Sequence, residues 1–214
     1  MSIVLSSSEI CQQFLNQLKV DLSVIKRAGR PVSETQGEVL FQSVNSLIKI
    51  MNLSSADHFL DLGSALGKVV LQVFMLTEVQ NATGIEIVPE CAAFARRMKN
   101  SLQECHPLLL QGRHLDFIEG DFFREPFNEA TVIWINAICF TPMMLKHLSQ
   151  MLNQMNSVRM VLTLRPLLNL SKLRFERTIM IEGSWDSALC YVYRACNLFK
   201  TKKFDFSLNI EKRK

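Results

Sequence analysis

An α/β fold, with a mostly parallel sheet and helices on both faces, is predicted by three features of the chain. From His58 onward, short apolar strands alternate with amphipathic helical stretches. A glycine-bearing turn, Asp61-Leu-Gly-Ser-Ala-Leu-Gly67, joins the first strand to its helix. Acidic residues stand at the ends of three successive strands: Asp61, Glu86 and Asp121.

Each element has its own signal. Residues 9–28 place Ile10, Phe14, Leu15, Leu18, Leu22 and Ile25 at helical spacing, and Gly29 and Pro31 end that helix. A second helix is predicted from Glu38 to Met51, with Val39, Leu40, Val44, Leu47 and Ile48 on one side. "HFLDLG" reads as the first strand and "KVVLQVFMLTE" as its helix. "ATGIEIV" is a strand, and "PECAAFARRMKNSLQE" is a helix with Pro89 near its first turn. "LDFIEGDF" and "ATVIWINAICF" are strands three and four, "MMLKHLSQMLNQM" a helix, and "VRMVLTLRP" strand five. "RTIMIEGSW" and "ALCYVYRAC" follow with no clear helix between them, which suggests one antiparallel strand at the sheet edge.

The bulk numbers set limits. A chain of 214 residues holds one good core, here divided as an N-terminal helical segment (1–50) packing on it, a main domain (51–200) and a basic tail (201–214). Hydrophobic content of 48% and charged content of 21% exclude a disordered chain. The net charge of +4 is mild and owes much to Lys200, Lys202, Lys203, Lys212, Arg213 and Lys214. Such a run reads first as a solvated end, with a weak grip on an acidic partner as the alternative. No apolar run approaches about 18 residues, so no membrane span is expected. Cys11, Cys91, Cys105, Cys139, Cys190 and Cys196 form no C-x-x-C pair, which suits a reducing, cytoplasmic setting. His58, His106, His114 and His147 lack metal-ligand spacing, so no metal is expected.

In a doubly wound sheet, ligands bind at the carboxyl ends of the strands, where the Asp61–Gly67 turn sits. Gly63-Ser-Ala-Leu-Gly67 lacks the further glycine of a dinucleotide fingerprint, and Lys68-Val69 does not complete a phosphate loop. Three carboxylates around one crevice would repel a phosphate. They suit a ligand with hydroxyls, an amino group and a positive centre. Glu86 is placed for ribose hydroxyls, and Asp121 for an adenine amino group with Phe122 against the ring. S-adenosylmethionine carries all those groups.

The motifs "DLGSALGKVVLQV", "GIEI", "EGDFF" and "VIWINAICFTP" together resemble the class I methyltransferases. Within them they most resemble the Dot-one (disruptor of telomeric silencing) family of lysine methyltransferases that lack a SET domain. "ETQGEVLF", Ser184-Trp185 and "YVY" at Tyr191–Tyr193 extend the similarity to roughly residues 34–195. The resemblance implies a Rossmann-like seven-stranded sheet with a short N-terminal helical appendage. It implies that Gln36, Val39, Asp61, Gly63, Ser64, Gly67, Lys68, Glu86, Asp121, Phe122 and Asn136 line the S-adenosylmethionine site. Phe140, Trp185 and Tyr191 would stand nearest a lysine channel, with Asn136 orienting the amine. The chain departs from the family pattern at Gln36 (tyrosine), Ala65 (glycine), Lys68 (glutamine) and Ala137 (asparagine). A protein lysine is the implied substrate. A nucleosome lacks the support of a long basic segment, and nuclear or host-delivered action stays open. Two alternatives stand beside this one: a methyltransferase of a small molecule or nucleic acid, and a non-catalytic cofactor- or partner-binding protein on the same fold.

Overall fold

The computed structural model describes residues 5–17 and 38–196. The expected continuation of the first helix to residue 28, its stop at Gly29 and Pro31, Gln36 and the tail 201–214 lie outside those residues. Strands β1 (His58–Leu62), β2 (Asn81–Glu86), β3 (His114–Glu119), β4 (Val132–Ile135), β5 (Met160–Thr163), β6 (Leu173–Glu182) and β7 (Ser187–Ala195) form one sheet. Their order is β3-β2-β1-β4-β5-β7-β6. β1 to β5 pair in parallel, and β7 runs antiparallel to both β5 and β6. The winding reverses between β1 and β4, so the crevice of an open α/β sheet falls at their carboxyl ends.

The antiparallel strand is not at the edge, as the sequence suggested. β7 lies inside, and β6 is the outer strand. The reason is burial. β7 carries Cys190 and Val192, both fully buried, whereas β6 exposes Arg174, Glu176 and Arg177. The more apolar strand takes the inner place, and the charged strand blunts the edge. Strand four also ends sooner than its apolar run. β4 stops at Ile135, and Ala137 accepts a turn hydrogen bond from Phe140 N–H at 3.0 Å.

Helices α1 (Ser7–Gln17), α2 (Phe41–Met51), α3 (Lys68–Leu76), α4 (Pro89–Cys105) and α5 (Pro142–Gln154) cover the sheet, with a 3-10 turn at Pro107–Leu110. A capping box starts α1: Ser6 N–H donates to Glu9 Oε2 at 2.7 Å, and Glu9 N–H donates to Ser6 Oγ at 3.3 Å. Cys11, Phe14 and Leu15, at i, i+3 and i+4, bury against the first core. α2 begins at Phe41 rather than Glu38, because Val39 is extended and bridges Gly183. Side chains of α1 to α4 fill this first core; α5 fills the second, on the opposite face. β4 shows why both exist: Val132 and Trp134 enter the first, Ile133 and Ile135 the second. Gln72, buried in the apolar α3, donates to Phe41 O at 2.8 Å and Asn45 Oδ1 at 2.9 Å. That pairing seats α2 on α3 and explains the glutamine of "VVLQV". No helix among the described residues is long and apolar enough to cross a membrane.

The amino ends of the strands are clamped by one ion pair. Arg159 Nε donates to Asp57 Oδ1 at 2.6 Å and Arg159 Nη2 to Oδ2 at 2.9 Å. Asp57 also accepts from Thr131 Oγ1 at 2.7 Å and Ser54 N–H at 2.9 Å, and Arg159 donates to Met51 O at 3.0 Å. One carboxylate thus holds the starts of β1, β4 and β5 and the end of α2. Burial alone would raise the Asp57 pKa, but Arg159, Ser54 and Thr131 outweigh it and hold the carboxyl far below its ordinary 3.8. A depressed folded pKa adds stability that is complete above pH 3.8 and is lost progressively as the pH falls below it toward the depressed folded value. Asp57→Asn is expected to lower unfolding free energy by about 1.5–3 kcal/mol at pH 7. Urea melts across pH 2–8 check it: the gap between variant and wild type should narrow steadily as the pH falls below about 4, and a constant gap would contradict the clamp.

Candidate active site

After Leu62 the chain turns through Gly63 (φ 82°), Ala65 (φ 47°) and Gly67 (φ 77°) into α3. Gly63 N–H and Ser64 N–H both donate to Ile85 O, at 2.9 and 3.0 Å, so the loop folds across the end of β2. Glu86 answers from β2. Its Oε2 accepts from Ala65 N–H and its Oε1 from Val88 N–H, each at 2.8 Å. The two glycines differ in purpose. A Cβ on Gly63 would meet nothing within 4 Å, so its face is open. A Cβ on Gly67 would strike Phe117 at 2.5 Å and Ala95 at 2.9 Å. Gly67, expected at the cofactor, is therefore a packing glycine beneath the loop and does not line the cavity.

That loop borders a cavity of about 640 Å³ at the carboxyl ends of β1, β2 and β4. Of the residues expected at a cofactor, Val39, Asp61, Gly63, Ser64, Lys68, Glu86, Asp121, Phe122 and Asn136 line it. Phe140 and Trp185, expected near the acceptor, line it as well. Tyr191 does not. It sits in mid-β7, paired with Thr163 and Thr178, against the second core. Six residues along the hairpin from Trp185 carry it up to about 20 Å away. Gln36 lies outside the described residues.

Asp61 is 2% exposed, and its Oδ1 has no hydrogen-bond partner among the described residues. Burial, and then the neighbouring Glu86 charge, push its pKa well above the ordinary 3.8. Ser64 Oγ is likewise buried without a partner among the described residues. Ser64 Oγ packs over Gly84, whereas a ligand ammonium in the cavity that Asp61 lines would satisfy the Asp61 carboxyl. Asp121, after β3, accepts from Phe123 N–H at 3.0 Å and keeps Oδ2 3.7 Å from Arg124 Nε. Phe122 stacks with Phe140 at 5.6 Å, joining the two expected halves of the site. The opposite wall is the β6–β7 turn. Its Trp185 ring lies against Gly183, where a Cβ would come within 2.5 Å of the indole. Segment 38–40 closes that side: Ser184 N–H donates to Glu38 O at 2.8 Å, and Leu40 N–H to Glu182 O at 2.9 Å.

Sequence reasoning passed over Glu38, Ile87, Trp134, Met144 and Ser184, which also line the cavity. Glu38 stands in the quoted "ETQGEVLF" and Ile87 directly follows Glu86, so their neighbours were signals. Trp134 gave none, since a buried strand tryptophan reads as core.

The model of the family described as "Histone methylation protein DOT1" matches residues 21–181. The chain belongs to the DOT1 family. A histone-lysine N-methyltransferase of Drosophila melanogaster, H3 lysine-79 specific, is 30% identical over 118 residues. That match spans 51% of this chain and 6% of the relative. The Caenorhabditis elegans protein of the same description is 28% identical over 155 residues, 68% of this chain and 16% of the relative. This DOT1 chain thus aligns with only a small part of the curated relatives it matches. Among solved structures, an RNA methyltransferase from Salinibacter ruber with S-adenosyl-L-homocysteine superposes with TM-score 0.55 at 22% identity. It covers 74% of this chain and 93% of that one. The magnesium protoporphyrin IX methyltransferase of Synechocystis PCC 6803 with bound SAM gives 0.54 at 14% identity, covering 92% and 100%. These likenesses show the fold, a Rossmann-like class I methyltransferase sheet.

The donor set of this DOT1 site fits S-adenosylmethionine on the chain's own chemistry. Asp61 offers a buried acceptor unpaired among the described residues, Gly63 leaves space, and the acids disfavour a phosphate. Ala65 is the strained member of the loop. An L residue in the left-handed region costs roughly 1–2 kcal/mol, and Glu86 holds it there. Ala65→Gly should therefore raise stability by about 1 kcal/mol, measured by urea unfolding; a loss would show that the loop is not strained. Asp61→Asn tests the buried acid. A raised folded pKa makes the protonated carboxyl favour the fold, so stability drains away as pH rises above 3.8. Ligand-free Asp61→Asn should lack that slope and melt higher than wild type at pH 7–8. Equal slopes from pH 4 to 8 would contradict the assigned shift.

Proposed function

We propose that this chain is an S-adenosylmethionine-dependent methyltransferase that methylates a lysine side chain of a protein, with a histone as the substrate class. Family membership supports the reaction type. The observation that carries the site is the buried Asp61 Oδ1 beside Glu86, unpartnered among the described residues, in a cavity that Trp185 and Phe140 also line. The histone reading draws on the relatives named as specific for H3 lysine-79. It carries nucleosome binding and nuclear action with it. The cytoplasmic expectation rested on reduced cysteines, a condition the nucleus meets equally.

When bound, S-adenosylmethionine supplies an electrophilic methyl group on a sulfonium centre. Asp61 accepts from the ligand's ammonium. Each oxygen of Glu86 keeps a lone pair after its one backbone bond, and these accept from ribose hydroxyls. Asp121 and Phe122 receive the adenine. On the acceptor side, Phe140, Trp185 and Met144 give a lysine apolar surroundings, which disfavour its ammonium and let it shed a proton to solvent. Asn136, just past β4, orients the neutral amine. Alignment of this kind is worth roughly 7–11 kcal/mol of barrier.

The test is transfer of tritium from labelled S-adenosylmethionine to free histones and nucleosomes, with acid hydrolysis identifying the methylated residue. Label in N-methyl-lysine is expected. Glu86→Gln should weaken S-adenosylmethionine binding by about 1.5 kcal/mol or more. Trp185→Ala should leave that affinity intact and cut turnover. Label confined to nucleic acid, or equal turnover in all three proteins, would overturn the reading.

A further inference from the structure

Lys68 Nζ and Glu38 Oε2 stand 2.8 Å apart, and their side chains are 31% and 42% exposed. Among the described residues lining the cavity, Lys68 is the single cation, against the carboxylates of Glu38, Asp61, Glu86 and Asp121. Lys68 also opens α3, where the helix dipole adds positive potential. The amino-acid end of S-adenosylmethionine is a zwitterion. Its ammonium has a waiting acceptor in Asp61 Oδ1, buried and unpartnered among the described residues. Its carboxylate, set among four acids, has Lys68 as the one cationic partner among the described lining residues, and Lys68 is held by Glu38.

We infer that Lys68 is a shared cation, held by Glu38 in the ligand-free protein and taken over by the cofactor's carboxylate on binding. The exchange frees the Glu38 carboxylate at the acceptor wall. This rests on the S-adenosylmethionine reading above. A partly exposed pair is weak, so a ligand carboxylate can displace Glu38 at small cost. Glu38 is stitched to the turn that carries Trp185: its N–H donates to Ser184 Oγ at 3.1 Å, and its carbonyl accepts from Ser184 N–H at 2.8 Å. Once Lys68 is taken, Glu38 remains beside Trp185 as an acid facing the cavity. That acid attracts the incoming lysine ammonium before the side chain moves into the apolar surroundings of Phe140 and Met144 and sheds its proton, so cofactor binds first and lysine substrate second.

Calorimetric titration with S-adenosylhomocysteine and its decarboxylated analogue tests the exchange on wild type, Lys68→Met and Glu38→Gln. Wild type should prefer the carboxylate ligand by roughly tenfold or more, and Lys68→Met should lose that preference. Glu38→Gln removes the competitor, so it should bind S-adenosylhomocysteine roughly two- to fivefold tighter and leave the analogue unchanged. With cofactor saturating, Glu38→Gln should also raise KM for a lysine-bearing histone peptide by a larger factor than it lowers kcat. A preference that survives in Lys68→Met overturns the inference while the S-adenosylmethionine reading stands. So do two variants that merely melt lower with unchanged binding. No binding of either ligand by wild type overturns the reading itself, and this inference with it.

Discussion

Two backbone N–H groups from different loops converge on the one carboxylate of Glu86, and the shape of the cavity follows from that pairing. Ala65 comes from the turn after β1 and Val88 from the start of α4. Glu86 takes the N–H of Ala65 in its left-handed conformation, beside the open face of Gly63, in a turn that Ser64 O and Gly67 N–H close at 2.8 Å. The pairing has an electrostatic consequence. The charge of Glu86, added to burial, raises Asp61. The ligand-free protein therefore carries a local penalty that a cationic, hydroxyl-bearing ligand relieves. Structure and ligand preference have one origin.

The two ends of the sheet divide the work. At the amino ends, Asp57 and Arg159 satisfy one another and the ends of several elements, and little polar capacity is left over. At the carboxyl ends, Asp61 Oδ1 has no partner among the described residues and Gly63 leaves room. The long outer hairpin completes the site from the side. β6 and β7 run past the ends of the central strands, and their turn brings Ser184 and Trp185 against segment 38–40. Glu38 then spans from that turn to Lys68 on α3. The cofactor side and the acceptor side thus share one polar connection.

The alternation of strands and helices was legible because the central strands are buried on both faces and read as unbroken apolar runs. The three strand-end acids were legible because their positions, rather than their neighbours, define the crevice. Tyr191 misled because strand spacing carries a residue far from a turn that is close in sequence. Gly67 misled because a glycine that admits a ligand and one that admits a phenylalanine look alike in a sequence. The place of β7 was hidden in the contrast of charge between the last two strands. The Glu38–Lys68 pair spans thirty residues, and no periodicity announces it.

The acids around this cavity favour a cationic nucleoside ligand over a phosphate. Isothermal titration of S-adenosylmethionine and of ADP into the same ligand-free protein tests it most directly. One S-adenosylmethionine site per chain and no measurable ADP binding are expected. Saturable binding of ADP, with none of S-adenosylmethionine, would contradict it.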